Sequence, residues 1–118
     1  IDANQLQQNG PVKEIQDIEP LADKWRSFGW HTIEINGHEI EHVLKAYDDA
    51  RRVTGQPQAI VARTVKGKGV SFMELNHAWH GVAPKPDELE RALKELQNQS
   101  TVGIRYRSSA KPSVSDME

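Results

Sequence analysis

Apolar positions along this chain switch between two periods, and the switching predicts helices and strands in turn. Pro20 suits a first helical position, and Leu21, Trp25 and Phe28 follow at i, i+4 and i+7 before Gly29, which predicts a short amphipathic helix. Trp30 to Ile35 is rich in aromatic and β-branched residues and stops at Asn36-Gly37, the pattern of a strand with a loop at its carboxyl end. The clearest element comes next. Ile40, Val43, Leu44, Tyr47, Ala50 and Val53 trace one helix face, opposite Glu41, Lys45, Asp48, Asp49 and Arg52, and Gly55 ends the helix. Gln58 to Val65, built on Ala59-Ile60-Val61-Ala62, predicts a second full strand. A long loop from Lys66 to Lys85 follows, and Pro86 and Asp87 then open a last helix with Leu89, Ala92, Leu93 and Leu96 as its inward stripe. Strand, helix, strand with a helical crossover implies a parallel sheet, so the expected class is α/β, a parallel-sheet fragment with helical crossovers. Residues 98–118, with several serines and Pro112, hold no sustained period and read as a C-terminal tail behind a domain of residues 1–97.

Size and composition narrow the function classes. A chain of 118 residues with 36% hydrophobic content and a mean hydropathy of -0.70 has room for one small domain and a modest core. Its 15 basic and 17 acidic residues leave a net charge of -2, which gives no broad basic field to draw it onto nucleic acid or an anionic membrane. Any anion site must be local. With no cysteine, disulfides and thiolate metal ligands drop out. No apolar run approaches the roughly twenty residues that cross a bilayer, and no secretion signal opens the chain, so a cytoplasmic protein is expected. The chain starts on Ile1 within a strand-to-loop pattern and reads as part of something longer.

The candidate chemistry gathers after the second strand. Lys66-Gly67-Lys68-Gly69, followed by His80-Gly81, would lie beyond the carboxyl end of that strand, where open α/β sheets bind ligands. Glycines let backbone approach an anion and lysines supply charge, which suggests a phosphorylated ligand. Spacing alone leaves a solvated loop as the commoner reading. The same holds for Asp2 and Asn4, which by themselves are a turn signal. His77 and His80 form a His-x-x-His step, but the loop character of their neighbours argues against a metal pair. Trp79 is expected to bury its ring under the loop and fix the direction of His80. His38 falls on the same sheet edge and reads as filling the crevice. His31 and His42 read as surface or partly buried structural residues, and Arg51-Arg52 as a solvated helix face.

The wider sequence carries a resemblance. The run ARTVKGKGVSFMELNHAWHGVAPKPDELERAL closely resembles the end of the cofactor-binding domain of transketolases, especially those whose N-terminal half is a separate polypeptide. It continues backward through PLADKWRSFGWHTIEINGHEIEHVLKA to IDANQLQQNGPV at the start, over residues 1–97. The resemblance implies part of a thiamine diphosphate-binding fold. It further implies transfer of a two-carbon ketol unit between sugar phosphates, in the pentose phosphate pathway, with thiamine diphosphate and a divalent ion, Mg2+ or Ca2+.

Residue by residue, the resemblance assigns a metal-ligand role to the Asn4 side chain and the Leu6 carbonyl. Hard oxygen ligands of this kind suit Mg2+. It assigns Lys66 to the cofactor diphosphate, and His80 to a catalytic position between the diphosphate and the reacting part of the sugar. An imidazole there can donate a hydrogen bond or move a proton. The family's upstream Gly-Asp-Gly motif and its activating glutamate have no match here. The implied partners are therefore the missing upstream part of the domain and a pyrimidine-binding domain or subunit, in a dimeric or heterotetrameric assembly, with the isolated chain inactive. Two alternatives stand beside this reading. One is a domain like that of deoxyxylulose-phosphate synthase, whose matching region also carries a Gly-Lys-Gly step and a Trp-His pair. The other is a scaffold paralogue that keeps the sheet but not catalysis.

Overall fold

The computed structural model describes residues 1–100, and the side chains of residues 1–98. The chain runs from β1 (Asp2–Ala3) into a tight ribbon of β2 (Leu6–Gln7) and β3 (Gly10–Pro11). Then come α1 (Val12–Ile15), α2 (Leu21–Ser27), β4 (His31–Asn36), α3 (Ile40–Arg52) and β5 (Gln58–Arg63). A 3-10 turn at His77–His80 and α4 (Pro86–Ser100) complete the described part. α4 runs to Ser100, and residues 101–118 of the expected tail lie outside the described residues.

β1, β5 and β4 form a three-stranded parallel sheet in that order, with β5 in the middle. Ile33 pairs with Ile60 and Asn36 with Arg63 on one side, and Ala3 pairs with Arg63 on the other. The α/β class and the parallel sheet with a helical crossover are therefore as the pattern predicts. Flanked on both edges, β5 holds the most buried side chain, Val61, which has no exposed surface. β2 and β3 pair antiparallel and were too short to give a period in the sequence.

Local chemistry sets the ends of α2. Pro20 stands at the N-cap rather than inside the helix, and the Glu19 carboxylate accepts the Leu21 N–H at 2.9 Å. At the other end Gly29 takes φ +81, its N–H donates to the Arg26 carbonyl, and the Trp30 N–H donates to the Trp25 carbonyl. This paired closure with a left-handed glycine is the Schellman arrangement, and its usual apolar contact is the edge-on Trp25–Trp30 ring pair, with centroids 4.8 Å apart. The glycine thus both stops the helix and aims the chain into β4.

Two expectations about packing need correction. The apolar face of α3 divides: Ala46 is buried and Val43, Ala50 and Val53 half-buried, while Ile40, Leu44 and Tyr47 stay exposed. Likewise only Ala92 of the α4 stripe is buried, and Leu89, Leu93 and Leu96 are 46%, 49% and 41% exposed. The cause is the narrowness of what each helix packs on. A stripe of 100° or more needs a broad partner; α3 has β4 beneath it, while α4 meets the Ser71–Phe72 segment of the loop. Strand ends also shift: β5 stops at Arg63, not Val65, because Thr64 turns to Asp2 and Val65 to His38.

Candidate functional site

Because β1, β4 and β5 are parallel, the segments that follow them leave from one edge of the sheet. Asn4 follows β1, Asn36-Gly37-His38 follows β4, and Lys66 lies just past β5. This is the edge at which open α/β folds take ligands.

At β1, Asn4 closes an Asx turn: its Oδ1 accepts the Leu6 N–H at 3.0 Å, and its Nδ2 donates to Asp2 at 3.1 Å. Gln5 crosses to φ +69 between them. The two residues expected at a metal are therefore joined by one hydrogen bond. An amide oxygen has two lone pairs, so Asn4 Oδ1 keeps acceptor capacity after binding Leu6. Among the described residues, no group of three or more His, Cys, Asp or Glu side chains converges as a metal site. An ion at this turn would rest on neutral oxygens from this chain, a donor set that fits a hard cation sharing its remaining positions with phosphate and water.

The turn after β5 is held at every step. Lys68 N–H donates to the Val65 carbonyl at 3.1 Å, and Leu75 N–H to the Lys66 carbonyl at 3.0 Å. Gly67 takes φ +74 with Met73 pressed against it, so that a Cβ there would lie 2.5 Å from the Met73 carbonyl oxygen. Only glycine fits. Glu74 accepts the Gly69 N–H at 2.9 Å and lies 3.6 Å from Lys68 Nζ. The Gly69 N–H, and then the Lys68 charge, hold the Glu74 carboxyl below its usual range. Lys68 is thus paired, whereas Lys66, half-buried, forms no ion pair among the described residues.

His80 ends the 3-10 turn, which Asn76 caps by accepting the Ala78 N–H at 3.0 Å. His77 and His80 are both exposed. Trp79 is half-buried, as expected: its Nε1–H donates to the Phe72 carbonyl at 3.1 Å, and the two rings lie 5.6 Å apart. The Arg91 guanidinium of α4 stands 4.7 Å over the Phe72 ring. Beside it Ser71 donates from N–H and Oγ to the Glu95 carboxylate, at 2.5 and 2.8 Å. Those two donors keep the Glu95 carboxyl below its usual range. The His80 turn is thus linked to α4 through Phe72, and β2 packs against the turn. Leu6 and His80 are thereby brought to neighbouring elements.

An open groove of about 560 Å3 lies elsewhere, between β4 and α3, where His42, Lys45 and Asp49 face Glu34 and Arg63. None of Asn4, Leu6, Lys66 or His80 lines it. His38, which the sequence left as filler, makes a specific contact: its Nε2 accepts the Val65 N–H at 2.7 Å. Asn36-Gly37 after a strand signalled a turn, but nothing local signalled a partner 27 residues away.

The family described as transketolase, thiamine diphosphate binding domain, matches residues 1–105. The chain belongs to this transketolase family. It is 40% identical over 98 residues to the 6-deoxy-6-sulfo-D-fructose transketolase subunit SqwG of Clostridium sp. (strain MSTE9), covering 83% of this chain and 36% of that protein. An apulose-4-phosphate transketolase subunit of Phocaeicola vulgatus is 34% identical over 99 residues, with 84% and 35% covered. The transketolase of Mus musculus is 35% identical over 98 residues, with 83% and 15% covered. Among solved structures, transketolase from Campylobacter jejuni superposes with a TM-score of 0.74 at 27% identity, over 81% of this chain and 15% of that one. The chain thus spans about a third of the transketolase subunits it matches and 15% of the longer transketolases. Among the described residues, no helix is long and apolar enough to cross a membrane.

Proposed function

We propose that residues 1–97 are part of the diphosphate-side domain of a transketolase that moves a two-carbon ketol unit from a ketose phosphate to an aldose phosphate, in the cytoplasmic pentose phosphate pathway. The observation that carries the reading is that, in a chain of this family, the segments bearing Asn4, Leu6, Lys66 and His80 leave one sheet edge or pack beside it.

Asn4 Oδ1 and the Leu6 carbonyl would hold a divalent ion, Mg2+ or Ca2+, and the Lys66 ammonium would neutralise diphosphate charge. When bound, thiamine diphosphate supplies the carbanion-stabilising chemistry that makes and breaks the carbon–carbon bond. His80 would donate a hydrogen bond to a substrate oxygen or carry a proton to and from it. Trp79 and Phe72 hold its backbone. The partners are the upstream part of this domain and a pyrimidine-binding domain or subunit, in a dimeric or heterotetrameric assembly. The isolated chain would be inactive, since it lacks a match for the activating glutamate.

The test uses the assembled enzyme with a ketose phosphate donor and an aldose phosphate acceptor. Products lengthened and shortened by a two-carbon unit are expected, dependent on thiamine diphosphate and Mg2+. Asn4→Ala should raise the half-saturating Mg2+ and cofactor concentrations together, by about tenfold or more, the scale of a lost ligand-shell contact. Absence of ketol transfer would refute the function, and titrations that overlay the parent's would reduce Asn4 to a turn residue.

A further inference from the structure

The Asn36-Gly37-His38 turn is built to grip the end of β5. Asn36 Oδ1 accepts the His38 N–H at 3.0 Å, which bends the chain back over the strand end. Gly37 N–H donates to the Arg63 carbonyl at 2.9 Å. A Cβ on Gly37 would lie 2.5 Å from Thr64 Cγ2 and 2.9 Å from Ala62 Cβ, so the turn is pressed onto β5 as closely as a backbone can be. The sheet ladder stops at Arg63, yet His38 Nε2 accepts the Val65 N–H at 2.7 Å and extends the pairing by a side chain. The accepting nitrogen bears no hydrogen, so the ring proton is on Nδ1.

We propose that His38 is a positioning residue for the diphosphate turn: by holding the Val65 N–H it fixes the backbone from which Lys66 is presented. This rests on the assignment of Lys66 to the diphosphate. Lys66 sits between two anchored points, the Val65 N–H on His38 and its own carbonyl on the Leu75 N–H. The turn beyond it is closed by the Lys68 N–H on Val65 and by the enforced glycine at 67. With the backbone fixed, only the lysine's own stem remains to be ordered when an anion binds, and less freedom is lost on binding. Removing the His38 acceptor leaves the first anchor open while the second persists.

The experiment is equilibrium binding of thiamine diphosphate to the assembled enzyme at saturating Mg2+, followed by calorimetry, for the parent and a double-mutant cycle. Lys66→Ala should raise Kd by about tenfold or more, as for a lost charged hydrogen bond. His38→Ala should raise it about fivefold, the scale of one hydrogen bond, and His38→Gln, which keeps an acceptor at similar reach, should return it to within about twofold of the parent. On the Lys66→Ala background, His38→Ala should add less than about twofold, because its effect passes through the lysine. If His38→Ala does not fold, His38→Asn, too short to reach Val65, takes its place with the same expectation. A Kd unchanged by His38→Ala while Lys66→Ala raises it would overturn the proposal. So would an equal rise in both backgrounds. A Kd unchanged by Lys66→Ala would instead overturn the assignment of Lys66 itself, and this proposal with it.

Discussion

Arg63, the last residue of β5, gathers two carboxylates. Its guanidinium donates to Glu34 of β4 and to both oxygens of Glu19, and Glu19 also caps α2 through the Leu21 N–H. The Arg63 hydrogen bonds, then the Leu21 N–H, lower the Glu19 carboxyl from 4.5 to about 2. A carboxylate depressed in the folded state contributes stability above its unfolded value and loses it as pH falls through the folded one. The contribution is therefore complete above pH 4.5 and gone near pH 2. Glu19 and Arg63 are 48% and 38% exposed, so solvent and salt screen the pair to about 0–1 kcal/mol. Glu19→Gln should lower unfolding free energy by up to that amount at pH 7, with the difference from the parent closing as pH falls from 4.5 toward 2. A gap that stays constant across that range would assign the effect to something other than the ionised pair. At this scale sequence was least informative. The partners of Arg63, His38 and Ser71 lie 44, 27 and 24 residues away, and no local period encodes such distances.

At the scale of elements the sequence was most legible, because periodicity and end signals are local. Gly29 stopped α2 as expected, Asn36-Gly37 ended β4, and the apolar run around Val61 became the middle strand. Period identifies which residues share a face but not how much of it a partner covers, which is why the apolar face of α3 and the expected inward stripe of α4 are in part exposed. In the Lys66–Lys85 loop the burial of Trp79 was legible but its partners were not. The order of the loop comes from Trp79 on Phe72, Arg91 over Phe72 and Ser71 on Glu95, contacts that join the His80 turn to α4. Trp79→Ala should therefore cost about 1–3 kcal/mol, less than a fully buried aromatic, and lower kcat/KM as the His80 turn loosens. Trp79→Phe should recover the packing but not the Nε1 hydrogen bond, giving an intermediate loss. Urea unfolding of the assembled enzyme and steady-state kinetics read both effects, and a Trp79→Ala variant as stable as the parent would contradict that link.

On the scale of the whole molecule, Ile40, Leu44 and Tyr47 on α3 and Leu89, Leu93 and Leu96 on α4 remain exposed, as does Phe28 at 78%. The chain spans about a third of its subunit relatives. The sheet edge carries Asn4 and Lys66, both half-buried, and His80 is exposed on its turn. The His80 turn is where chemistry and packing separate most cleanly, since His80 is exposed while Trp79 beside it carries the packing. The most direct measurement is kcat/KM for ketol transfer by the assembled enzyme carrying His80→Ala, with thiamine diphosphate and Mg2+ saturating. A fall on the order of 10² or more, with stability within about 0.5 kcal/mol of the parent, is the predicted result for a positioned acid or base on a surface turn. Near-normal turnover would contradict it and leave this edge as a wall of the site without a catalytic residue.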